Sequence, residues 1–123
     1  EAEYQRALDL GPGALRGATL LRLAWRAKRS GEHERASRLW AEAGEAGEVE
    51  GWRELAMYHE HRSRDLDAAL LAVERARGLV EEARGKDARA WHLAEGLERR
   101  RQRLLRKKGR REAQDSSRPA GTA

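Results

Sequence analysis

The stretch LAMYHEHRSRDLDAALLAVERA, residues 55–76, contains two helical patterns separated by a polar bend. Before the bend, Leu55, Ala56 and His59 continue an apolar rhythm of helical period that starts further upstream. The bend ends at Asp65, whose side chain is well suited to cap the first turn of a following helix. After it, alanine, leucine and valine recur at the same period. The stretch therefore predicts a helical hairpin, in which a short turn joins two helices.

The composition of the whole chain favours helices over strands. The sequence has no isoleucine and no phenylalanine, and only three valines and two threonines supply β-branched side chains. Leucine and alanine dominate the apolar residues, and four tryptophans are the large candidates for a core. Sheets favour β-branched and aromatic residues, whereas Ala, Leu, Glu and Arg favour helices. We therefore expect an all-α protein.

Glycine, proline and short polar turns divide the chain into segments of helical length. Residues 1–9 are expected to end a helix before the breaker at 10–13, where proline suits a new helix start. The serine and glycine at 30–31 should end that helix. The turn at 84–86 should end the fourth helix, and Asp87 can cap a fifth, long one.

The basic residues are concentrated at the C-terminal end of the chain. The formal net charge is +5, and residues 97–123 alone carry ten basic against three acidic residues. After Gly109 the sequence shows no helical periodicity, so we expect that segment to be disordered. Basic tails are often only solvated, and they also contact nucleic acid or acidic partners. Both interpretations stay open from the charge alone.

The sequence gives no support for disulfides, for membrane insertion or for a leader sequence. The chain has no cysteine, so neither disulfides nor thiolate chemistry apply. No apolar run approaches the roughly 20 residues of a membrane helix, and the N-terminus lacks a signal-peptide pattern. We therefore expect a cytoplasmic protein without a membrane partner. Because Glu1 is not an initiator methionine, we also expect the chain to be a fragment of a longer protein.

The sequence repeats itself when it is shifted by about 33 residues. The aligned positions are apolar residues at helical spacing: Leu23, Ala24, Ala36, Trp40 and Ala43 in the first unit, and Leu55, Ala56, Ala69, Val73 and Ala76 in the second. Small residues at such positions allow two antiparallel helices to approach closely. We therefore expect two helical hairpins of similar construction.

This pattern resembles the tetratricopeptide repeat. A leucine and a small residue stand on one helix, and an alanine, a large residue and another alanine follow on the next. The resemblance covers roughly residues 1–97. It departs from the family in the second bend, which is one residue longer than the first, and at Val73, where an aromatic residue is usual. It implies helical hairpins stacked as a short right-handed solenoid, closed by a long C-terminal capping helix that begins near Trp91. Residues 98–123 would then be a basic helix end and a disordered tail.

The run ELAMYHEHRSRDLDAALLAVERA also resembles a segment in the C-terminal repeat region of bacterial ribonuclease-H-like exonucleases. There, a similar Leu-Ala-x-Tyr-x-Glu-His-Arg-x-x-Asp run precedes the second helix. In that family catalysis belongs to a separate α/β domain whose acidic residues bind divalent metal, and no part of this chain matches that domain. This resemblance implies an accessory repeat region that carries none of the nuclease chemistry.

The sequence predicts no catalytic, metal or cofactor site. His59 and His61 are two positions apart, so on a helix their imidazoles point about 200° apart and cannot share a metal ion. The zincin motif instead places its histidines at i and i+4. The serines lack the glycine elbow of a nucleophile, and no phosphate-binding glycine loop is present. We therefore do not expect this chain to be an enzyme in its own right.

The resemblance to tetratricopeptide repeats implies a binding groove lined by the first helix of each unit. Carried over position by position, the groove would contain Leu21, Trp25, Lys28, Arg29, Arg53, Met57, Glu60, His61, His92 and Arg99. Trp25 lies one turn from Arg29, a pairing enriched in binding hot spots. We expect a non-catalytic scaffold that binds a peptide or a neighbouring domain there. Packing of Trp25 against a domain of the same parent protein is an equal alternative.

The basic segment of the last helix is a second candidate surface. Its side chains suited to phosphate are Arg99, Arg103, Arg106, Lys107, Lys108 and Arg110. No aromatic residue interleaves with them, so base stacking is not indicated. Cations near a helix C-terminus also stabilise the helix dipole without any partner. Nucleic-acid contact by an accessory region of a nuclease is therefore the alternative function.

Overall fold

Consecutive helices pack against each other throughout the described part of the chain. The computed structural model describes residues 12–83 and 89–116, and these ranges contain helices and no strand. The helices are α1 (Pro12–Arg29), α2 (His33–Glu45), α3 (Val49–His61), α4 (Leu66–Ala83) and α5 (Arg89–Ser116). α1 packs on α2, α2 on α3, α3 on α4, and α4 on α5. The prediction of an all-α protein is confirmed. None of the described helices combines the length and the apolar character that crossing a bilayer requires.

Several predicted features lie outside the described residues. They are the helix end over 1–9, the turn at 84–86 with the cap at Asp87, and the last part of the tail, 117–123. The side chain of Trp91 is also outside what the structure describes.

The glycine and the aspartate that the sequence predicted at helix ends lie at helix ends in the structure. α1 begins at Pro12 and ends at Arg29. Gly31 follows in the left-handed region, with a φ of 79°, which glycine adopts without a steric penalty. At the start of α4, the backbone amide of Ala68 donates to Oδ1 of Asp65 at 3.0 Å. The predicted glycine stop and aspartate cap are both confirmed.

The core between the helices depends on buried alanines. Ala24, Ala56 and Ala69 are fully buried, and Ala36 is 2% exposed. They belong to a single cluster of buried residues together with Trp40. Because a methyl group is the smallest apolar side chain, alanine lets neighbouring helices lie close while still removing apolar surface from water. The predicted packing of these alanines between helices is confirmed.

α2 and α3 touch through their backbones at two glycines. A Cβ atom on Gly51 would lie 2.5 Å from the carbonyl oxygen of Trp40 and 2.6 Å from the amide nitrogen of Gly44. A Cβ atom on Gly44 would meet the ring of Trp52 at 2.5 Å. A larger residue at either position would displace a helix or a tryptophan. The close approach of the two helices was not predicted from the sequence.

α5 is longer than the sequence indicated. It continues to Ser116, so the expectation of disorder after Gly109 is wrong for residues 110–116. A glycine inside an exposed helix costs only about 1 kcal/mol relative to alanine. Contacts made by the end of the helix offset that cost, among them a 2.9 Å hydrogen bond from Nη1 of Arg111 to the carbonyl oxygen of Arg64. These contacts join residues far apart in sequence, and periodicity does not reveal them.

Candidate functional site

Trp25 lies at the junction of α1, α2 and α3. Its ring packs edge-on against Trp40 with centroids 4.9 Å apart, and its Nε1 donates to Oε1 of Glu50 at 3.2 Å. Nζ of Lys28 lies 4.9 Å from the Trp25 ring centroid and donates to Oε1 of Glu54 at 3.0 Å. These contacts occupy Trp25 within the chain and leave it half-buried. Only part of its ring remains available to a partner.

A crevice of about 220 Å³ lies beside this junction, and we call it the α1–α3 crevice. Its lining comes from α1, α2, α3 and the bend that follows: Lys28, His33, Ala36, Trp40, Glu54, Met57, Tyr58, His61 and Arg62. Of the groove residues predicted from the sequence, the structure brings Lys28, Met57 and His61 together here. The crevice therefore contains residues of α1 and α2 as well as residues of α3.

The other predicted groove residues lie outside the crevice. Leu21 is half-buried against the core, and Arg29 is exposed at the end of α1. Arg53 is half-buried on α3, and His92 is exposed on α5. The crevice is therefore narrower than the groove that the repeat resemblance implied.

Glu60, near the end of α3, is a buried carboxylate surrounded by cations of α5. Its side chain is 0% exposed. Arg103 donates from Nε to Oε2 and from Nη2 to Oε1, both at 3.0 Å. Nη1 of Arg100 donates to Oε1 at 3.0 Å, and Nζ of Lys107 donates to Oε2. The hydrogen bonds from Arg103, helped by Lys107, lower the pKa of Glu60 from 4.5 to about 2 against the opposing effect of burial.

Glu60 does not line the α1–α3 crevice, although its place in the repeat pattern implied a groove position, because its carboxylate is buried against α5. The available signal was the spacing of Arg100, Arg103 and Lys107, which recur at i, i+3 and i+7 on one helical face. That spacing predicts a positively charged helix face but does not identify the acidic residue that the face contacts. The partner carboxylate stands 40 or more positions away in the sequence, so local pattern could not find it.

A second cavity, of about 500 Å³, lies between the end of α3, the bend at 62–65 and the last part of α5. We call it the basic cleft. Its lining is rich in cations and comprises Glu60, His61, Arg64, Leu66, Lys107, Arg110, Arg111 and Gln114. Arg64 has a φ of 57°, an uncommon value for a residue other than glycine. The hydrogen bond from Arg111 to its carbonyl oxygen ties the bend to α5.

The cations proposed from the sequence for nucleic-acid contact divide into two groups. Arg103 and Lys107 bind Glu60, and Nζ of Lys108 lies 2.7 Å from Oδ1 of Asp67. These three side chains are occupied by contacts within the chain. The remaining members are exposed on α5 and form no ion pair with any residue of 12–83 or 89–116: Arg99, Arg106 and Arg110.

The histidines of α3 each have a partner within the chain. Nδ1 of His59 lies 2.8 Å from Oγ of Ser63, and burial lowers the pKa of His59. Nε2 of His61 lies 3.6 Å from Oε1 of Glu60. Among the residues with described positions, no three His, Asp or Glu side chains converge as metal ligands would.

No protein family, curated protein or solved structure matches this chain. The likeness to tetratricopeptide repeats and to the exonuclease repeat region therefore depends on the residues quoted for it. The features of the chain that bear on its function are the α1–α3 crevice, the buried carboxylate of Glu60 and the basic cleft.

Proposed function

We propose that this chain is a non-catalytic interaction module of the tetratricopeptide-like kind. In this proposal α1–α2 and α3–α4 are successive repeat units, α5 is the terminal capping helix, and the units stack as a short right-handed solenoid. The buried alanines support it, because Ala24 and Ala36 in the first unit correspond to Ala56 and Ala69 in the second. The packing of each helix on the next along the chain supports it as well.

The α1–α3 crevice is the observation that carries the proposed binding function, and its chemistry indicates the kind of partner. Trp40, Met57 and Tyr58 give it apolar walls, and histidine, lysine and arginine side chains stand around them. Its one lining carboxylate, Glu54, already accepts a hydrogen bond from Lys28 at 3.0 Å. A peptide segment with one apolar side chain flanked by acidic residues fits this combination. In this proposal the segment belongs to a separate protein or to another domain of the same parent chain.

A labelled peptide tests this function directly. The probe is a fluorescein-labelled segment with a central leucine flanked by glutamates, and the comparison peptide has alanine at the centre. In an anisotropy titration the leucine peptide should bind more tightly. Met57→Gln should weaken its binding about tenfold, because a polar amide would replace part of the apolar wall.

The control for this test is Leu71→Gln, which makes the same kind of change on an exposed position. Leu71 is 58% exposed on α4 and does not line the crevice. This variant should bind the leucine peptide like the unmodified chain. Equal binding of the two peptides, or an equal loss in the two variants, would contradict the proposed function.

The exposed arginines of α5 favour a second candidate function, that of an accessory region that helps a ribonuclease-H-like exonuclease to hold nucleic acid. Arg99, Arg106 and Arg110 are separated by seven and four positions, so they lie on one face of the helix. Guanidinium groups suit phosphate, and each phosphate they neutralise adds to a salt-dependent affinity. The exposure of this row is the observation that supports the second candidate.

The second candidate is tested with the double variant Arg99→Gln/Arg106→Gln and a labelled single-stranded RNA or DNA of 20 nucleotides. The variant should bind more weakly, with a shallower dependence of affinity on salt. Removal of all residues after Leu97 is a less selective change, because it would also strip Glu60 of its three cations. Binding that is the same in the double variant and the unmodified chain would exclude the second candidate.

A further inference from the structure

The basic cleft carries more positive charge than its lining neutralises. Arg64, Lys107, Arg110 and Arg111 line it, together with the single carboxylate of Glu60. That carboxylate already accepts hydrogen bonds from Lys107 and from two arginines of α5. The net charge of the residues that line the cleft is therefore positive at neutral pH.

Three arginines of the cleft have charge available for a ligand. The guanidinium groups of Arg64 and Arg110 form no hydrogen bond or ion pair with any other residue that the structure describes. Arg111 donates to the backbone carbonyl oxygen of Arg64, an acceptor without formal charge. A guanidinium is planar and presents its N–H groups in a fork that matches the oxygens of a phosphate.

A group of carboxylates lies beside Arg64 and Arg111, outside the basic cleft, and it limits where an anion can bind. A neighbouring cleft shares these two arginines and is lined by four carboxylates, Asp65, Asp67, Glu112 and Asp115. Nζ of Lys108 neutralises part of that charge through its 2.7 Å contact with Asp67. Carboxylates repel a phosphate. In the basic cleft, by contrast, the cations outnumber the single carboxylate of Glu60. An anion should therefore occupy the Glu60 side of the two arginines.

We propose that the basic cleft binds a phosphate group, held by Arg64, Arg110 and Arg111. A volume of about 500 Å³ has room for pyrophosphate or for a nucleotide. The shared chemistry is the phosphate itself, supplied either by a small free ligand or by a nucleic-acid strand. The proposal is independent of peptide binding, because none of these arginines lines the α1–α3 crevice.

Isothermal titration with inorganic pyrophosphate at low ionic strength tests the proposal. The unmodified chain should bind, and Arg64→Gln and Arg110→Gln should each weaken binding about tenfold or more through loss of a charge-assisted hydrogen bond. Arg38→Gln is the matched control, because it removes the same charge from an exposed position on α2. It should bind pyrophosphate like the unmodified chain. Far-UV circular dichroism checks that every variant is folded.

A uridine decanucleotide distinguishes the two sources of phosphate. Binding of the decanucleotide that weakens in Arg64→Gln assigns the cleft to nucleic acid, and binding of pyrophosphate alone assigns it to a small ligand. Arg99→Gln/Arg106→Gln, which tests the second candidate function, should leave pyrophosphate binding unchanged. The proposal is overturned if the unmodified chain does not bind pyrophosphate. It is overturned equally if Arg38→Gln weakens binding as much as Arg64→Gln does.

Discussion

Glu60 attaches the second half of α5 to the end of α3 through charge. One carboxylate with no exposed side-chain surface receives hydrogen bonds from Arg100, Arg103 and Lys107. A buried ion pair often adds little net stability compared with apolar residues of the same size. Removal of the carboxylate is nevertheless costly, because three partly buried cations would lose their counter-ion. The three cations of α5 would then repel each other at the helix contact.

The lowered pKa of Glu60 predicts a dependence of stability on pH. The pKa falls from 4.5 to about 2 in the folded chain, so the ionised carboxylate stabilises the fold. This contribution is complete above about pH 4.5 and is lost as the pH falls through about 2. At pH 7, Glu60→Gln should lower the free energy of unfolding by roughly 3 kcal/mol. Urea unfolding should show the difference from the unmodified chain shrinking between pH 4.5 and pH 2.

Glu74→Gln is the control for that measurement. Glu74 on α4 also accepts hydrogen bonds from two arginines, Arg77 at 3.0 Å and Arg101 at 2.9 Å, but half of its side chain is exposed. Exposed ion pairs contribute about 0–1 kcal/mol, so this variant should be only slightly less stable. If Glu60→Gln proved no more costly than Glu74→Gln, the structural role assigned to Glu60 would be wrong.

At the level of elements, the contact between α2 and α3 decides how the two hairpin segments meet. Gly51 lies against the backbone of Trp40 and Gly44, and Gly44 lies against the ring of Trp52. Any side chain at Gly51 would point at backbone atoms, which cannot rotate away as a flexible side chain would. α2 and α3 can therefore lie this close only because residue 51 has no Cβ atom.

Two glycine-to-alanine variants should have opposite effects on stability. Gly51→Ala should destabilise the fold by about 2 kcal/mol, because the new methyl group forces α2 and α3 apart. Gly78→Ala should stabilise it by about 0.5–1 kcal/mol, because Gly78 lies in α4 with no atom near a new Cβ. Urea unfolding of both variants gives the comparison. An unchanged or increased stability of Gly51→Ala would show that the helices are not in backbone contact there.

The helices were predictable from the sequence where local signals decide the structure. The glycine at 31 and the aspartate at 65 act over a few neighbouring residues, and the apolar period places Ala56 and Ala69 on inward faces. The contacts of Gly51 and Glu60 depend on residues of other helices. A single sequence carries no record of such pairs, so the glycine contact, the buried carboxylate and the basic cleft appear only in the folded chain.

For the whole molecule, two cavities of different chemistry lie on either side of the end of α3. The α1–α3 crevice has apolar walls, and the basic cleft is lined by four Lys or Arg side chains and one carboxylate. His61 lines both cavities, so they are neighbours on the surface. In the proposed function a peptide segment occupies the first, and in the further inference a phosphate group occupies the second. Both assign the chain a role in binding.

Chemical-shift mapping with the leucine-centred acidic peptide tests the proposed binding function most directly. On a ¹⁵N-labelled sample, the amide signals of Lys28, Met57 and Tyr58 should move as the peptide is added, because these residues line the α1–α3 crevice. The signals of Leu71 and Gly78 on α4 should stay in place. Shifts confined to α4 and α5, or no shifts at saturating peptide, would contradict the account.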